Sequence, residues 1–397
     1  MKKLLTTLLL VLLCPMLSPG WGFFGHKVIT QIAVYSLPSG MQGFYFRNLN
    51  RLVQLSTAAD QRREIDSLEA SRHFIDMDHF GDDPFNTVPK AWDKAVAKYS
   101  ADTLRKYGTV PWTVLEVQNK LTQAFRTGDT TAILTLSADL GHYVADAYVP
   151  LHTTENYDGQ LSNQQGLHAL WESKLPERHI GEYKLTGKDG KYLKDPQQAI
   201  WEVLQQSYGF LGATFDLEEK VGRSFTPEQK YTFSHRFGKT RRAYSDAFAD
   251  AYHKQVGGMV MFRLQLAPAT VASMWLTAWQ DAGRPNLDKL LKKPITKGEK
   301  EKLDEQLTAW KKNQLVPNSM LMAQVKEKPV EAPDQIKPAA DMAPPPVEAA
   351  IPVTTPTAPA ATAPAVAPEK VKEKTKTPAG KSKQKAKKAA PANDGWN

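Results

Sequence analysis

Between residue 21 and about residue 292, the chain repeats apolar residues at intervals of three and four. The stretches HKVITQIAVYSL (26–37), WTVLEVQNKLTQAFRTG (112–128), TAILTLSADLGHYVADA (131–147), AIWEVLQQSYGFLG (199–212) and VASMWLTAWQDAG (271–283) all carry this spacing. It lays one apolar face along an α-helix, so each stretch predicts an amphipathic helix. Two-residue alternation is scarce. GEYKLTGKDGKYL (181–193), with Asp189-Gly190 at its centre, predicts one small β-hairpin. The expected fold class is all-α, a single large multi-helix domain over 21–292.

Residues 293–318 read as a charged helical extension in which Leu303, Leu307 and Trp310 share one stripe, either docking on the domain or serving as a spacer. After Pro317 the chain turns to Pro, Ala, Thr and Lys. Such a composition buries too little apolar surface to offset its ordering entropy, so 319–397 is expected to be a disordered tail. At the other end, Lys2 and Lys3 precede an apolar run from Leu4 to Leu13, and Ser18-Pro19-Gly20 offers a small-residue exit. Residues 1–20 therefore read as a cleavable signal peptide, which makes Trp21 the first residue of a secreted or periplasmic product. The run is about half the length a bilayer crossing needs, and no later segment approaches about 18 consecutive apolar residues, so the processed protein is expected to be soluble.

The only cysteine, Cys14, leaves with the signal, and bulky Leu13 before it argues against lipid anchoring there. Stability must come from a core or from metals. The formal charge of +9 and the pI of 9.2 are misleading until they are located. From Ser319 onward twelve lysines face eight acids, and with Lys2 and Lys3 also set aside, residues 21–318 carry +3. Charge alone therefore names no polyanion partner for the domain, although the lysine-rich tail is suited to contact polyanions or the cell envelope. Nothing in the pattern marks a stable protein partner.

GHYVADAYVPLH (141–152) places two histidines and an aspartate where a core helix needs only leucines. On a helix His142 and Asp146 stand four apart on one face and can reach one ion. Pro150 then interrupts the helix and lets His152 swing back. LHALWES (167–173) repeats the device with His168 and Glu172, while SRHFIDMD supplies His73, Asp76 and Asp78, STAADQRR supplies Asp60, and WGFFGH supplies His26. One such pair is ordinarily a helix-side ion pair. Two pairs together with HxxxDxxxxxH point to metal, and the donors are too many for one zinc. Without cysteine, imidazole and carboxylate favour an open hydrolytic site over a structural one.

These residues resemble the zinc-dependent phospholipase C and single-strand-specific zinc nuclease superfamily, all-helical secreted enzymes with three zinc ions. The family pattern runs through a mature N-terminal Trp and a His five residues on (Trp21, His26), an Asp upstream of an HF-x-D segment (Asp60, HFID at 73–76), HxxxDxxxxxH (His142, Asp146, His152) and HxxxD or HxxxE (His168, Glu172). The resemblance covers 21 to about 283. It implies that Asp60, His73, His142 and Asp146 hold a first zinc and that His152, His168 and Glu172 hold a second. It assigns a third to the amino group and carbonyl of Trp21, to His26 and to bridging Asp146. Three Zn²⁺ outweigh the carboxylates of Asp60, Asp146 and Glu172, which leaves a positive pocket suited to phosphodiesters. A water shared by two such ions would ionise near neutral pH and attack phosphorus.

Two details divide the substrate. Arg63 sits where the nuclease branch carries an arginine that can fork onto phosphate, and Asp60 and Arg63 are the implied catalytic pair. Phe74 and Asp76 match positions that in the nucleases stack on a base and bond its edge, which suits unpaired nucleotides. Against this, Glu172 is the carboxylate of the phospholipase branch. The expectation is a secreted zinc phosphodiesterase acting on single-stranded nucleic acid, with phospholipid head groups as the alternative. A catalytically idle zinc-binding or envelope-tethered module is the reading from another class.

Overall fold

The computed structural model describes residues 22–236 and 239–324. The expectations for the signal peptide, for Trp21 and for the tail beyond residue 324 fall outside those residues, whereas 319–324, expected to be disordered, are ordered against the domain, with Leu321 buried and the Met320 carbonyl accepting from Gln31 at 2.7 Å. The principal helices, in chain order, begin with α1 (Phe23–Tyr35), α2 (Ser39–Arg47), α3 (Leu49–Leu55), α4 (Ala58–Arg62), α5 (Val110–Thr127) and α6 (Thr130–Asp146). A helical run over 167–179 follows, then α7 (Pro196–Gly209), α8 (Leu211–Gly222), α9 (Asp246–Asp281) and α10 (Lys297–Lys311). The fold is all-α, as its three- and four-residue spacing predicts.

The ends of these helices follow from local chemistry. Gly128, at φ +70°, closes α5 in the left-handed conformation that a side chain would strain, and Asp129 accepts the Ala132 N–H at 3.0 Å to start α6. Ser245 caps α9 through the Phe248 N–H at 3.1 Å, and Thr296 with Glu299 forms a reciprocal capping box on α10. The core gathers around α9, which packs against α1, α5, α6 and α8. Its Trp275 stacks on Tyr45 with ring centroids 5.1 Å apart and donates its indole N–H to the Ser137 carbonyl at 2.9 Å. Truncating such a tryptophan to alanine would cost ~3–5 kcal/mol.

The periodic stretch 271–283 covers only the last third of α9. Gly257, Gly258 and Pro268 punctuate the sequence upstream, yet the helix continues through them because Val260, Leu264, Ala267, Pro268 and Val271 are all buried. Tertiary packing overrides local propensity here. By length and composition α9 could cross a membrane, but it is the core helix of this domain.

The hairpin expected around Asp189-Gly190 does not form. Residues 185–193 run extended along other elements, and their backbone groups find partners there rather than on a facing strand. Gly190 N–H bonds to Ser36 O at 2.8 Å, Lys191 N–H to Ser273 Oγ at 3.0 Å, and Leu193 N–H to Thr277 Oγ1 at 2.9 Å. Gly190 serves a close approach instead of a turn, since a Cβ there would lie 2.8 Å from the Ala272 Cβ. The two strands among the described residues, β1 (Tyr231–Arg236) and β2 (Lys239–Tyr244), pair antiparallel further on, with Tyr231 opposite Tyr244 and Phe233 opposite Arg242.

The charged helix α10 docks on the domain. Leu303 and Trp310 are buried, Trp310 donates to the Leu185 carbonyl at 3.0 Å, and Tyr35 of α1 donates to Gln306 at 2.7 Å.

Candidate metal centre and cleft

Helix α6 carries His142 and Asp146 on one buried face and ends at Asp146. The next turn is tight: Tyr148 N–H bonds to Ala145 O and Val149 N–H to Asp146 O, both at 2.9 Å, and Pro150 opens a 3₁₀ turn over 150–153 that brings His152 back inward. A buried guanidinium fixes this turn. Arg263 of α9 donates to the Tyr148 carbonyl at 2.9 Å, and burial pulls its pKa down to about 10.

Around Asp146 the separated residues converge. Asp146 Oδ2 lies 2.9 Å from His73 Nδ1 and 3.4 Å from His142 Nε2, while Oδ1 lies 3.3 Å from His26 Nε2, so its two oxygens serve two neighbourhoods. Asp60 Oδ1 joins the first at 3.8 Å from His73 Nδ1 and 3.7 Å from His142 Nε2. In a separate group, His168 Nε2 lies 2.9 Å from Glu172 Oε2 and 3.1 Å from His152 Nε2. Glu172 sits in a π turn, Leu170–Lys174, of the kind that recurs at functional sites.

Ring orientation separates these pairs. His73 meets His142 at 87° and His152 meets His168 at 88°, each with centroids 4.9 Å apart. A nitrogen lone pair lies in its ring plane, so perpendicular rings can aim at one point. His26 stacks on His142 at 3.8 Å and 13°, so those two aim at different points. Two donor groups share His142, namely Asp60, His73 and His142, and His26, His142 and Asp146; a third, His152, His168 and Glu172, stands apart. Gly22 follows Trp21 directly and touches the π turn so closely that a Cβ on it would lie 2.1 Å from Ser173 Oγ.

Two of these imidazoles are turned by a bond from the opposite ring nitrogen, and His73 has a carboxylate close to its own. His142 Nδ1 bonds to the Ser56 carbonyl at 2.8 Å, His152 Nδ1 to the His73 carbonyl at 2.7 Å, and His73 Nε2 lies 3.4 Å from Glu69 Oε1. Sequence reasoning missed Glu69, although its position four before His73 was visible. Glu69 is itself held by Arg62 at 3.3 Å and by the Tyr143 hydroxyl. Burial raises its carboxyl pKa, but His73 and Arg62 outweigh that and hold it well below the usual range.

Electrostatics show that the cluster calls for cations. Burial, then repulsion from His26, pushes His142 down to about 3, and burial takes His168 to about 4, so both rings are neutral and free to offer a lone pair. Burial raises Glu172 to about 8. Asp146 Oδ1, Asp60 Oδ2, both Glu172 oxygens and both His26 nitrogens are buried without a hydrogen-bond partner. Carboxylates in that state cost several kcal/mol, on the order of a buried unpaired ion, unless a cation meets them. A divalent metal that prefers nitrogen and oxygen fits this donor set.

The groups open on a cleft of about 230 Å³ lined by Arg63, Phe74, Asp76, Glu155, Tyr157 and Gln160, with His73, His152 and His168 in its wall. Arg63 Nη1 bonds to Asp60 Oδ1 at 3.3 Å. Burial, then Asp78 and Glu155, pushes Asp76 up to about 7. Asp78 and its neighbour His79 clamp this wall: Asp78 accepts from Thr154 at 2.7 Å and from the Glu155 N–H at 2.8 Å, and His79 pairs with Glu155 at 2.9 Å. A second cavity, about 270 Å³ beside Tyr35 and Gly190, has Asp189 as its only carboxylate and no imidazole.

The S1/P1 nuclease family model matches residues 21–279, which span the donor groups and the cleft. The chain belongs to the S1/P1 nuclease family. No curated protein matches it significantly. Membership of the S1/P1 nuclease family implies a zinc-dependent phosphodiesterase, and the buried imidazole and carboxylate groups supply places for metal. A fourth group among the described residues, His179, Glu182 and His253, lies partly in solvent and outside this cleft's lining.

Proposed function

We propose that this protein, exported and trimmed to begin at Trp21, hydrolyses phosphodiester bonds of single-stranded nucleic acid with three zinc ions. The observation that carries the reading is the set of three buried donor groups, two of which share His142, that leave several donor atoms without a partner and place His73, His152 and His168 in the wall of one cleft with Arg63 and Phe74. Asp60, His73, His142 and Asp146 would hold one ion and His152, His168 and Glu172 another. His26, Asp146 and the terminal Trp21 would hold the third.

Zinc bound there supplies Lewis acidity, lowering the pKa of water and offsetting phosphate charge. The chain's own residues do the rest. Asp60, which accepts from Arg63, can accept a proton from the attacking water and orient it. Arg63, in the cleft wall, presents its guanidinium to the phosphate oxygens, where charge grows as the bond to the leaving oxygen breaks. Phe74 offers a ring face to an unpaired base and Asp76 a carboxyl to its edge. The cleft holds about one nucleotide, so a base locked in a duplex would have to unstack before entering.

The test is a substrate panel on the processed protein: single-stranded DNA, RNA, duplex DNA and phosphatidylcholine, before and after chelation and zinc return, with elemental analysis alongside. Preferred cleavage of single strands with about three zincs per chain supports the reading. Turnover of phosphatidylcholine but not of nucleic acid would overturn it in favour of the phospholipase branch.

A further inference from the structure

Between Gln229 and Ser245 the chain carries five cations, Lys230, Arg236, Lys239, Arg241 and Arg242, and no carboxylate. Residues 21–318 have a net charge of +3, so all the rest of that span is net acidic by two. Four of these cations lie on the hairpin β1–β2, while Lys230, just before β1, pairs with Glu218 Oε1 at 2.7 Å. Its aromatic residues are graded from core to solvent on one face. Tyr244 is buried, its cross-strand partner Tyr231 is half-buried with ring centroids 5.1 Å apart, and Phe233 is 78 % exposed opposite Arg242. The Arg242 guanidinium lies 4.1 Å over the Tyr231 ring.

The root of the hairpin is tied to a segment that reaches the cleft. Arg242 donates to Gln165 at 3.0 Å, and Tyr244 donates to the Gln164 carbonyl at 3.0 Å. These glutamines belong to the segment that runs from Gln160, in the cleft wall, to His168, in the second donor group.

We infer that the hairpin Tyr231–Tyr244 is a docking arm for single-stranded nucleic acid leaving the cleft, with bases stacking on Phe233 and Arg242 and the arm's positive charge attracting the phosphates. Unpaired strands are held by this combination, a cationic track with exposed aromatic and guanidinium planes. Anionic lipid needs the charge alone and has no use for a flat Arg–Tyr stack beside a one-nucleotide cleft. The inference rests on the nuclease reading above, extending its substrate from one nucleotide to a strand.

The double variant Phe233→Ala/Arg242→Gln of the zinc-loaded protein tests it. Binding of a fluorescent, phosphorothioate-linked oligothymidylate of twenty nucleotides is followed by anisotropy from about 50 to about 200 mM salt. The expected result is a Kd about tenfold weaker, with the salt slope shallower by about one. The ratio of kcat/KM for a long strand to that for a dinucleotide should fall by a similar factor, while Phe233→Trp retains tight binding. An unchanged Kd and slope would overturn the inference, as would lost binding to phosphatidylserine vesicles with oligonucleotide binding intact. Hairpin-dependent strand binding without nuclease turnover would sink the functional reading and leave the arm standing.

Discussion

Two clusters in this molecule contain the same kinds of side chain and differ in nearly everything else. Around Asp146 the imidazoles and carboxylates are sealed from solvent, the rings that face a common point are perpendicular, and several donor atoms have no partner. Around Glu182, His179 and His253 lie parallel, 3.6 Å apart at 1°. Glu182 is exposed, and the hydrogen bond it accepts from His179 at 2.7 Å keeps its carboxyl below the usual range. Spacing alone would rank both as metal sites. Parallel rings cannot aim at one ion, and an exposed carboxylate has water for company. The difference teaches that a metal centre is recognised by ring orientation and by desolvation left uncompensated.

The sharpest way to break this comparison is Asp146→Asn set against Glu182→Gln. The first should lose more than one zinc per chain by elemental analysis and more than about a hundredfold in phosphodiester turnover, since even outer partners of a ligand cost up to about that factor. The second should keep both. His26→Ala should lose less metal than Asp146→Asn, and equal losses would count against a bridging Asp146. Next in size, Glu69→Gln should weaken zinc about ten- to a hundredfold in a chelator competition by loosening His73. An unchanged affinity would reduce Glu69 to a packing partner.

A smaller effect is read from pH. In the folded protein Asp76 sits at about 7, above the ordinary carboxylate value of 3.8. Its contribution to stability is therefore complete below about pH 4 and is lost as pH rises to about 7. Metal-free protein should lose stability over that window by up to a few kcal/mol, roughly the size set by such a shift, and Asp76→Asn should flatten the loss in urea titrations. The lowered Glu182 has the opposite slope, giving support at neutral pH that disappears in acid. The smallest effect expected is that of Gly257→Ala. A Cβ there would lie 2.5 Å from His253 Nε2, so the ring must swing off His179. Stability should stay within about 1 kcal/mol, a helical alanine offsetting the displaced ring, with zinc content unchanged. Zinc lost from that variant would promote the Glu182 cluster to a genuine site.

Much of this architecture was legible from the chain. The stripes at 26–37, 112–128 and 131–147 became α1, α5 and α6 because local periodicity and packing agree there. His142, Asp146, His152, His168 and Glu172 were visible as a constellation, and the structure gathers them as two groups sharing a cleft. Other features lie in tertiary context. Glycines 257 and 258 and Pro268 masked the length of α9, and Gly190 suggested a turn where it permits contact with Ala272. The hairpin at 231–244 lacked a two-residue turn signal, and its aromatic-basic pattern did not register as alternation. The π turn at Glu172 leaves no trace in spacing, because His168 and Glu172 pair at four residues whether or not the helix widens.

The contact between Gly22 and Ser173 has a temporal consequence. Because no side chain fits there, Gly22 packs directly against the π turn at the head of α1. On the proposed maturation route, a precursor could fold and dock its leading helix while lacking only a free amine. The final severing of one peptide bond would then arm a destructive enzyme after it has left the compartment whose nucleic acids it would attack.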